Sequence, residues 1–457
     1  MTEALETLRG LLGDFHSAEQ LTLLLLGVIL GGFFLAWNAS PQRALTAWLV
    51  TFSIQFSLGT FHLSLSDVFL LPLAVGTFIY WIARKDRSVA IPSPVLVFAF
   101  IFLTAGNIVT ALTLGRLPQW TWLNKDLGLL ALIVPYWSML VLCRDREDTE
   151  KLIRTFVSSV SVMNAVGVAL YISSMFTSFG SIVNYGGMRF KGFMLDPNGY
   201  AGLAGSTAIL QFAILNLNTK RGAKSLLGML NCFALVAGCL LTLSRGGILS
   251  LVAGGLVFFY FSKARSSYSI VLALAAIAVS VFWLSSHTDL GDSMEQRASD
   301  RGNIESRIDY MEQGMKMYLS SPRTLVTGIG IGTFVEESPK YFGDNHQIHN
   351  TYVWLLVEGG PVLFVAYLLV LFRALRNNLW VHKRVPSLRY AAAGCFCALV
   401  TTMFWSMTVE GSYHHHFWVL LAISELMWIH SRREYLAQRV VRNVRQVLPG
   451  VYAPALT

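Results

Sequence analysis

The chain has 457 residues, of which 54% are hydrophobic and only 13% charged, with a mean hydropathy of +0.54. Soluble domains carry about a quarter charged residues, so a soluble multidomain protein is excluded and a polytopic membrane protein is expected. The net charge of +9 would suit nucleic acid, but the basic residues sit in short clusters between apolar runs, where they act as orientation signals, and no nucleic-acid partner is expected.

In chain order, the first twenty residues hold Glu3, Glu6, Asp14 and Glu19 against Arg9 alone. A secretory signal needs a basic start, so no cleaved leader is expected. Runs apolar enough to cross about 30 Å of hydrocarbon follow at 21–37, 44–61, 65–82, 95–113, 127–143, 155–176, 199–217, 226–243, 246–261, 269–286, 351–372, 390–409 and 415–431. The fold expected is therefore all-α, a membrane helix bundle of about 12–13 spans with one large, partly helical loop. It divides into a bundle over 1–286, a cap loop over 287–350, C-terminal spans over 351–431 and a basic tail over 432–457. Trp37, Trp81, Trp120, Trp122 and Trp380 stand near span ends as an interfacial belt. The cysteines Cys143, Cys232, Cys239, Cys395 and Cys397 lie in or beside apolar runs, with neither a disulfide framework nor zinc spacing.

Basic clusters recur at Arg84-Lys85-Arg87, Arg144 to Arg154, Lys220-Arg221-Lys224, Lys263-Arg265, Arg373 to Arg389 and Arg432 to Arg445. Two spans separate each from the next, so all share one face, and by the positive-inside rule that face is cytoplasmic. Parity then turns Leu114–Asp126, Thr177–Asn198, the break at Ser244-Arg245, the loop at 287–350 and Val409–His415 outward. The large loop holds ten acidic and six basic residues, and loops beyond about 12–15 residues are usually functional or disordered. Within it Ile304, Ile308, Met311 and Met315 recur at helical spacing opposite Glu305, Asp309, Glu312 and Lys316, which predicts an amphipathic helix with those four inward.

Cations on the outward side are the informative ones. Arg189 and Lys191 lie in Met188-Arg-Phe-Lys-Gly-Phe-Met-Leu-Asp-Pro-Asn198, Arg245 is the sole charge between Lys224 and Lys263, Arg307 rides the amphipathic helix, and His349 opens the next span. An arginine at membrane depth costs about 2.5–3.5 kcal/mol on insertion scales and normally has a partner. The internal carboxylates are few: Asp67, Glu358, Glu410 and Glu425. An anionic ligand is the expected partner, and guanidinium groups bind phosphate oxygens in bidentate fashion. Each cation also has a plainer reading: Arg245 as a snorkelling arginine at a helix break, Arg189, Lys191 and Arg307 as solvated charges, and His349 as a locally bonded helix-start residue. Gly328, Gly330 and Gly332 read as a turn near the membrane surface, since no P-loop lysine follows. Glu358 is expected to pair with a buried cation. Adjacent histidines point different ways on a helix, so His414-His415-His416 is a poor metal site.

Taken in order, Arg189-Phe-Lys-Gly-Phe with Asp196-Pro-Asn198, Leu241-Thr-Leu-Ser-Arg-Gly-Gly247, Ser306-Arg307 before Ser321-Pro322, Gly328-Ile-Gly-Ile-Gly332 and His349-Asn350-Thr-Tyr with Glu358-Gly359 resemble the O-antigen ligase and polymerase superfamily. The resemblance covers Arg189–Gly360. It implies a bacterial inner-membrane glycosyltransferase with its active site facing the periplasm. The implied donor is an undecaprenyl-diphosphate-linked glycan, and the implied acceptor is another glycan or the lipid A core. The family's two functional outward arginines and loop histidine map to Arg189, Arg245 and His349, with Lys191 as an extra cation beside Arg189. No Asp-x-Asp metal motif is present, so arginine-stabilised, inverting transfer without a metal or other cofactor is expected, with His349 as general base. Another class remains in play, a secondary transporter for an anionic solute, although the halves show no internal repeat.

Overall fold

Where no water reaches the backbone, each segment must satisfy its own N–H and C=O groups, which is why the apolar runs become helices. A computed structural model of the protein describes residues 40–58, 61–83, 91–175, 181–185, 189–217, 223–262, 295 and 302–447. The runs at 21–37 and 269–286, Trp37, the clusters Arg84-Lys85-Arg87, Lys220-Arg221 and Lys263-Arg265, and most of 287–301 lie outside them.

The order is α1 (Pro41–Thr51), β1 (Gln55–Leu58), β2 (Phe61–Ser64), α2 (Leu65–Ala83), α3 (Ser93–Leu114), α4 (Thr121–Leu142), α5 (Arg146–Ser174), β3 (Asn184–Tyr185), β4 (Arg189–Phe190), α6 (Pro197–Leu217), α7 (Ala223–Leu241), and α8 (Arg245–Ser262). Then come α9 (Gly302–Tyr318), α10 (Pro322–Thr327), α11 (Thr333–Glu337), α12 (Pro339–Phe342), α13 (Thr351–Arg384), α14 (Arg389–Trp405) and α15 (His415–Val447). This is an all-α polytopic membrane protein. Among the described residues six helices are long and apolar enough to cross a bilayer, and two shorter apolar ones lie within α7 and α8. The helices α6, α8 and α14 pack around one another with α7 against α6, and α13 packs on α14, with α15 closing against α13, α14 and α4.

One expected span is corrected. The run at 44–61 is not one helix: α1 ends at Thr51 and an antiparallel hairpin follows, pairing Gln55 with Ser64 and Leu58 with Phe61. Phe52-Ser-Ile-Gln-Phe-Ser-Leu alternates apolar and polar residues, which is strand periodicity hidden inside high hydropathy. The hairpin has a task. The Gln55 N–H donates to the Phe193 carbonyl at 2.8 Å, so it grips the loop that carries Arg189 and Lys191.

The loop helix forms as expected over Gly302–Tyr318, but its inward face is rotated. Ile304 and Ile308 are exposed, whereas Gly314 and Tyr318 are buried and Tyr310, Met311 and Met315 pack on the core. Gly314 is the reason for the close approach: a Cβ there would lie 2.7 Å from the Ile348 Cδ1.

A second correction concerns Glu358. Instead of pairing with a cation, its carboxylate accepts from the backbone N–H of Gly332 at 2.7 Å and of Phe334 at 3.0 Å, and from the Trp354 indole at 2.6 Å. The reason lies in the kink of α13 at Gly360, whose φ of +71° precedes Pro361. A kink frees carbonyls from the helix ladder, and those of Val357 and Glu358 accept from Ile329 and Gly330 at 2.9 Å each. The Gly328–Gly332 turn is thus plugged into the broken helix, which left-handed φ values at Gly328, Gly330 and Gly332 permit. Replacing Glu358 with alanine would strand three buried donors. At about 1–3 kcal/mol for each, Glu358→Ala should lower the melting temperature of detergent-purified protein clearly, and Glu358→Gln less. An unchanged melting temperature for the alanine variant would refute this anchoring role.

Candidate active site

The turn at 406–414, between α14 and α15, receives nearly every segment that the sequence singles out. Thr351 fastens the start of α13 to it: its N–H donates to the Ser406 carbonyl at 2.9 Å, its hydroxyl to the Val409 carbonyl at 2.8 Å, and that hydroxyl accepts from the Gly411 N–H at 2.8 Å. Arg307 reaches it from α9, donating from Nη1 to the Thr408 carbonyl at 2.8 Å. The start of α8 abuts it as well, because a Cβ on Gly246 would collide with the Thr408 side chain. From α6, the Asn198 carbonyl accepts from the Trp405 indole at 2.8 Å. Five sequence-distant segments therefore share one end of the bundle.

The local sequence explains how each functional side chain is presented. Asn350 is the N-cap of α13, its side chain accepting from the Tyr352 and Val353 N–H groups at 3.0 and 3.1 Å. With Asn350 capping and Thr351 tethering, His349 of the His-Asn-Thr-Tyr motif has no part in either job. Its imidazole pKa lies below the ordinary 6.5, first through burial and next through the Arg307 charge. Glu410 and Asp196 oppose that shift and Lys125 adds to it, so these four charges all lie close enough to act on the ring.

Arg245 opens α8 directly after a sharp break. Leu243 has φ +53°, the sole left-handed non-glycine among the described residues, and a bulky residue there signals a constrained site. The break exposes the Thr242 carbonyl, which accepts from Arg189 Nε at 3.1 Å. Ser244 then starts the helix, its hydroxyl accepting from the Gly247 N–H at 3.3 Å. Arg189 also donates from Nη2 to the Asn198 Oδ1 at 3.3 Å. Asn198 is itself held by Asp196, which accepts from the Asn198 and Gly199 N–H groups at 3.1 and 2.9 Å. The Asp-Pro-Asn motif is thus a helix start with Arg189 laid across it, joining the 189–198 loop to the Thr242–Arg245 break.

Lys191 lies on the same loop, half-buried, and its ammonium has no hydrogen bond or ion pair among the described residues. Burial holds its pKa below the ordinary value for lysine. Arg189, Arg245 and Arg307 are also half-buried, a middle state between solvated charge and core. Of the three histidines, His414 stacks edge-on against Trp405 at 4.6 Å, His416 packs on the same ring at 5.2 Å and lies 5.8 Å from His414, and His415 turns away to lie between Trp48 and Asp67. Burial pushes His414 down to about 4, against the pull of Asp196.

Sequence reasoning missed Lys125. It forms an ion pair with Glu410 inside a box of Trp120, Trp354 and Tyr413, the last two rings centred 4.8 Å from its Nζ. Only 4% of the lysine side chain is exposed, so this charge ties the start of α4 to the hub from within the protein. The available signal was a lone outward lysine between Trp-Thr-Trp and a span.

Residues 230–368 match the O-antigen ligase family. The match supports the superfamily resemblance carried by the sequence motifs, and with it an O-antigen ligase-type membrane glycosyltransferase. It runs from inside α7 to beyond the kink of α13, so it includes Arg245, Arg307 and His349 and leaves out Arg189, Lys191 and the 406–414 turn. No curated protein sequence matches the chain.

Proposed function

We propose that the protein transfers a glycan from an undecaprenyl-diphosphate carrier to an acceptor sugar, a growing glycan or the lipid A core, at the periplasmic face of the bacterial inner membrane. The observation that carries this reading is the meeting of Arg307, the Arg245 helix start and the His349 segment at one turn, with Arg189 bonded to the same break as Arg245. Residues 287–350 serve as the cap over that site.

The acceptor hydroxyl attacks the anomeric carbon from the side opposite the diphosphate. Its oxygen forms the new glycosidic bond while the bond from carbon to phosphate oxygen breaks, and undecaprenyl diphosphate leaves with that electron pair. His349 takes the hydroxyl proton; its lowered pKa keeps the imidazole neutral and able to accept one at neutral pH. Charge grows on the leaving diphosphate, and Arg245, Arg189, Lys191 and Arg307 are the groups to stabilise it. A single in-line displacement inverts the anomeric configuration.

The cations carry the role that a divalent metal has in Asp-x-Asp glycosyltransferases, and among the described residues no three or more His, Cys, Asp and Glu side chains cluster to hold a metal. Purified protein given a lipid-linked oligosaccharide and acceptor should turn over undiminished in excess EDTA. Loss of turnover there, restored by magnesium or manganese, would overturn the arginine mechanism.

A further inference from the structure

At the far end of α13 from His349, the geometry points to a second anion site: we propose that Arg376, Arg384 and Arg432 bind the phosphate of an acidic phospholipid headgroup between α13 and α15. The cavity lies on the last part of α13 (Thr351–Arg384), so at 1.5 Å per residue roughly 40–50 Å of helix separates it from the candidate active site.

Arg376, Trp380 and Arg384 follow at intervals of four on α13, and Trp428, Arg432 and Tyr435 line the facing side of α15. Such spacing stacks side chains on one helix face. Together they enclose a cavity of about 450 Å³ with no carboxylate in its lining. The arginines are exposed, and two are held in place by rings: Arg384 lies 5.1 Å from the Trp380 ring centre, and Arg432 lies 5.1 Å from that of Trp428. Trp380 and Tyr435 meet edge to face at 5.8 Å and close the wedge between the helices. Of the acidic groups of α15, Glu425 is already spent on Arg373 and Asn377, and Glu434, between Arg432 and Tyr435, is exposed and outside the cavity lining. Arg376 makes no ion pair or hydrogen bond among the described residues. Three guanidinium groups around one cavity repel each other unless an anion sits among them, and their planar forks suit a phosphate.

The place selects a lipid over a solute. The two tryptophans mark the depth of the headgroup region, and Arg144 stacked on Tyr80 and Arg146 bonded to Ser387 put other members of the basic clusters at the same end. Basic pockets between membrane helices at that face recognise anionic headgroups.

The test is lipid retention by the purified full-length protein, delipidated in detergent and titrated with phosphatidylglycerol or phosphatidylcholine under native mass spectrometry. Wild type should retain phosphatidylglycerol preferentially. The triple variant Arg376→Gln, Arg384→Gln, Arg432→Gln should bind it about 100-fold more weakly, from roughly fivefold per arginine. Arg376→Gln alone should give one such step, so the proposal remains testable if the triple variant does not fold. Equal retention of both lipids, or of phosphatidylglycerol by wild type and variants, overturns the site. Inorganic pyrophosphate forms the other arm: displacement of the lipid at equal concentration would keep the anion site and overturn the lipid as its occupant. Because lipid retention is read without glycan transfer, failure here and failure of the proposed function are separable.

Discussion

Arg245→Lys should transfer glycan about 10²–10³ times more slowly than wild type, nearly as slowly as Arg245→Ala. Removing one preorganised donor from a site of developing negative charge typically costs that much, or roughly 2.7–4 kcal/mol. Lysine keeps the charge but loses the planar fork that meets two phosphate oxygens at once. The position leaves little room for compensation. Arg245 is the second residue after the strained Leu243, and its neighbour Gly246 is jammed against Thr408, so the backbone cannot shift to bring a shorter head closer. Donor affinity should fall together with turnover, because a diphosphate contact serves both the bound and the leaving state. The plain alternative is an arginine that only snorkels at a helix break; it predicts a lowered melting temperature and near-normal turnover per folded molecule. Turnover of Arg245→Lys within a few-fold of wild type would remove the bidentate contact from the mechanism.

His349→Ala should slow transfer about 10²–10⁴-fold and leave donor binding nearly intact, since the imidazole acts on the acceptor. The pH profile carries the sharper expectation. With the His349 pKa held below 6.5 by burial and by Arg307, the base is already neutral at pH 7. Activity should therefore rise with pH along a limb below 6.5 and then level off. Arg307 disfavours the imidazolium, so Arg307→Gln raises the pKa and moves that limb to higher pH, whatever it does to the plateau rate. His349→Ala should abolish the limb. A limb unmoved in Arg307→Gln, or one that survives in a folded His349→Ala protein, would assign the base elsewhere, and Asp196 and Glu410 are the nearby carboxylates to try next.

Much of the candidate site was legible in the chain because its signals are local. Arg245 stood out through isolation, a single charge between two apolar runs, and the structure puts it beside the one left-handed leucine among the described residues. The motif from His349 to Thr351 was legible as a helix start, with the added finding that Asn350 and Thr351 do the capping and tethering. Lys125 was passed over because it sits between a tryptophan-rich belt and a span, where a lysine ordinarily reaches solvent; here three rings and Glu410 enclose it. Glu358 was misread for a related reason. A carboxylate inside a span suggests a cation partner, yet the kinked helix delivered backbone amides instead.

What the sequence determined by itself is the membrane class and, apart from the run at 44–61, the helical character of the apolar runs that the structure describes. These follow from composition, length and periodicity, which are properties of neighbouring residues and of the solvent they face. Only the tertiary structure decided that the 406–414 turn is the hub. It also decided that Lys125 meets Glu410, that Arg307 meets Thr408, and that Arg189 meets Thr242. These partners are between 53 and 285 residues apart. No periodic pattern records such pairs, because they depend on which helices pack together and where α13 bends. The hairpin at 55–64 belongs with them: its alternation was present in the chain, but high hydropathy masked it until pairing and the bond to Phe193 gave it a place.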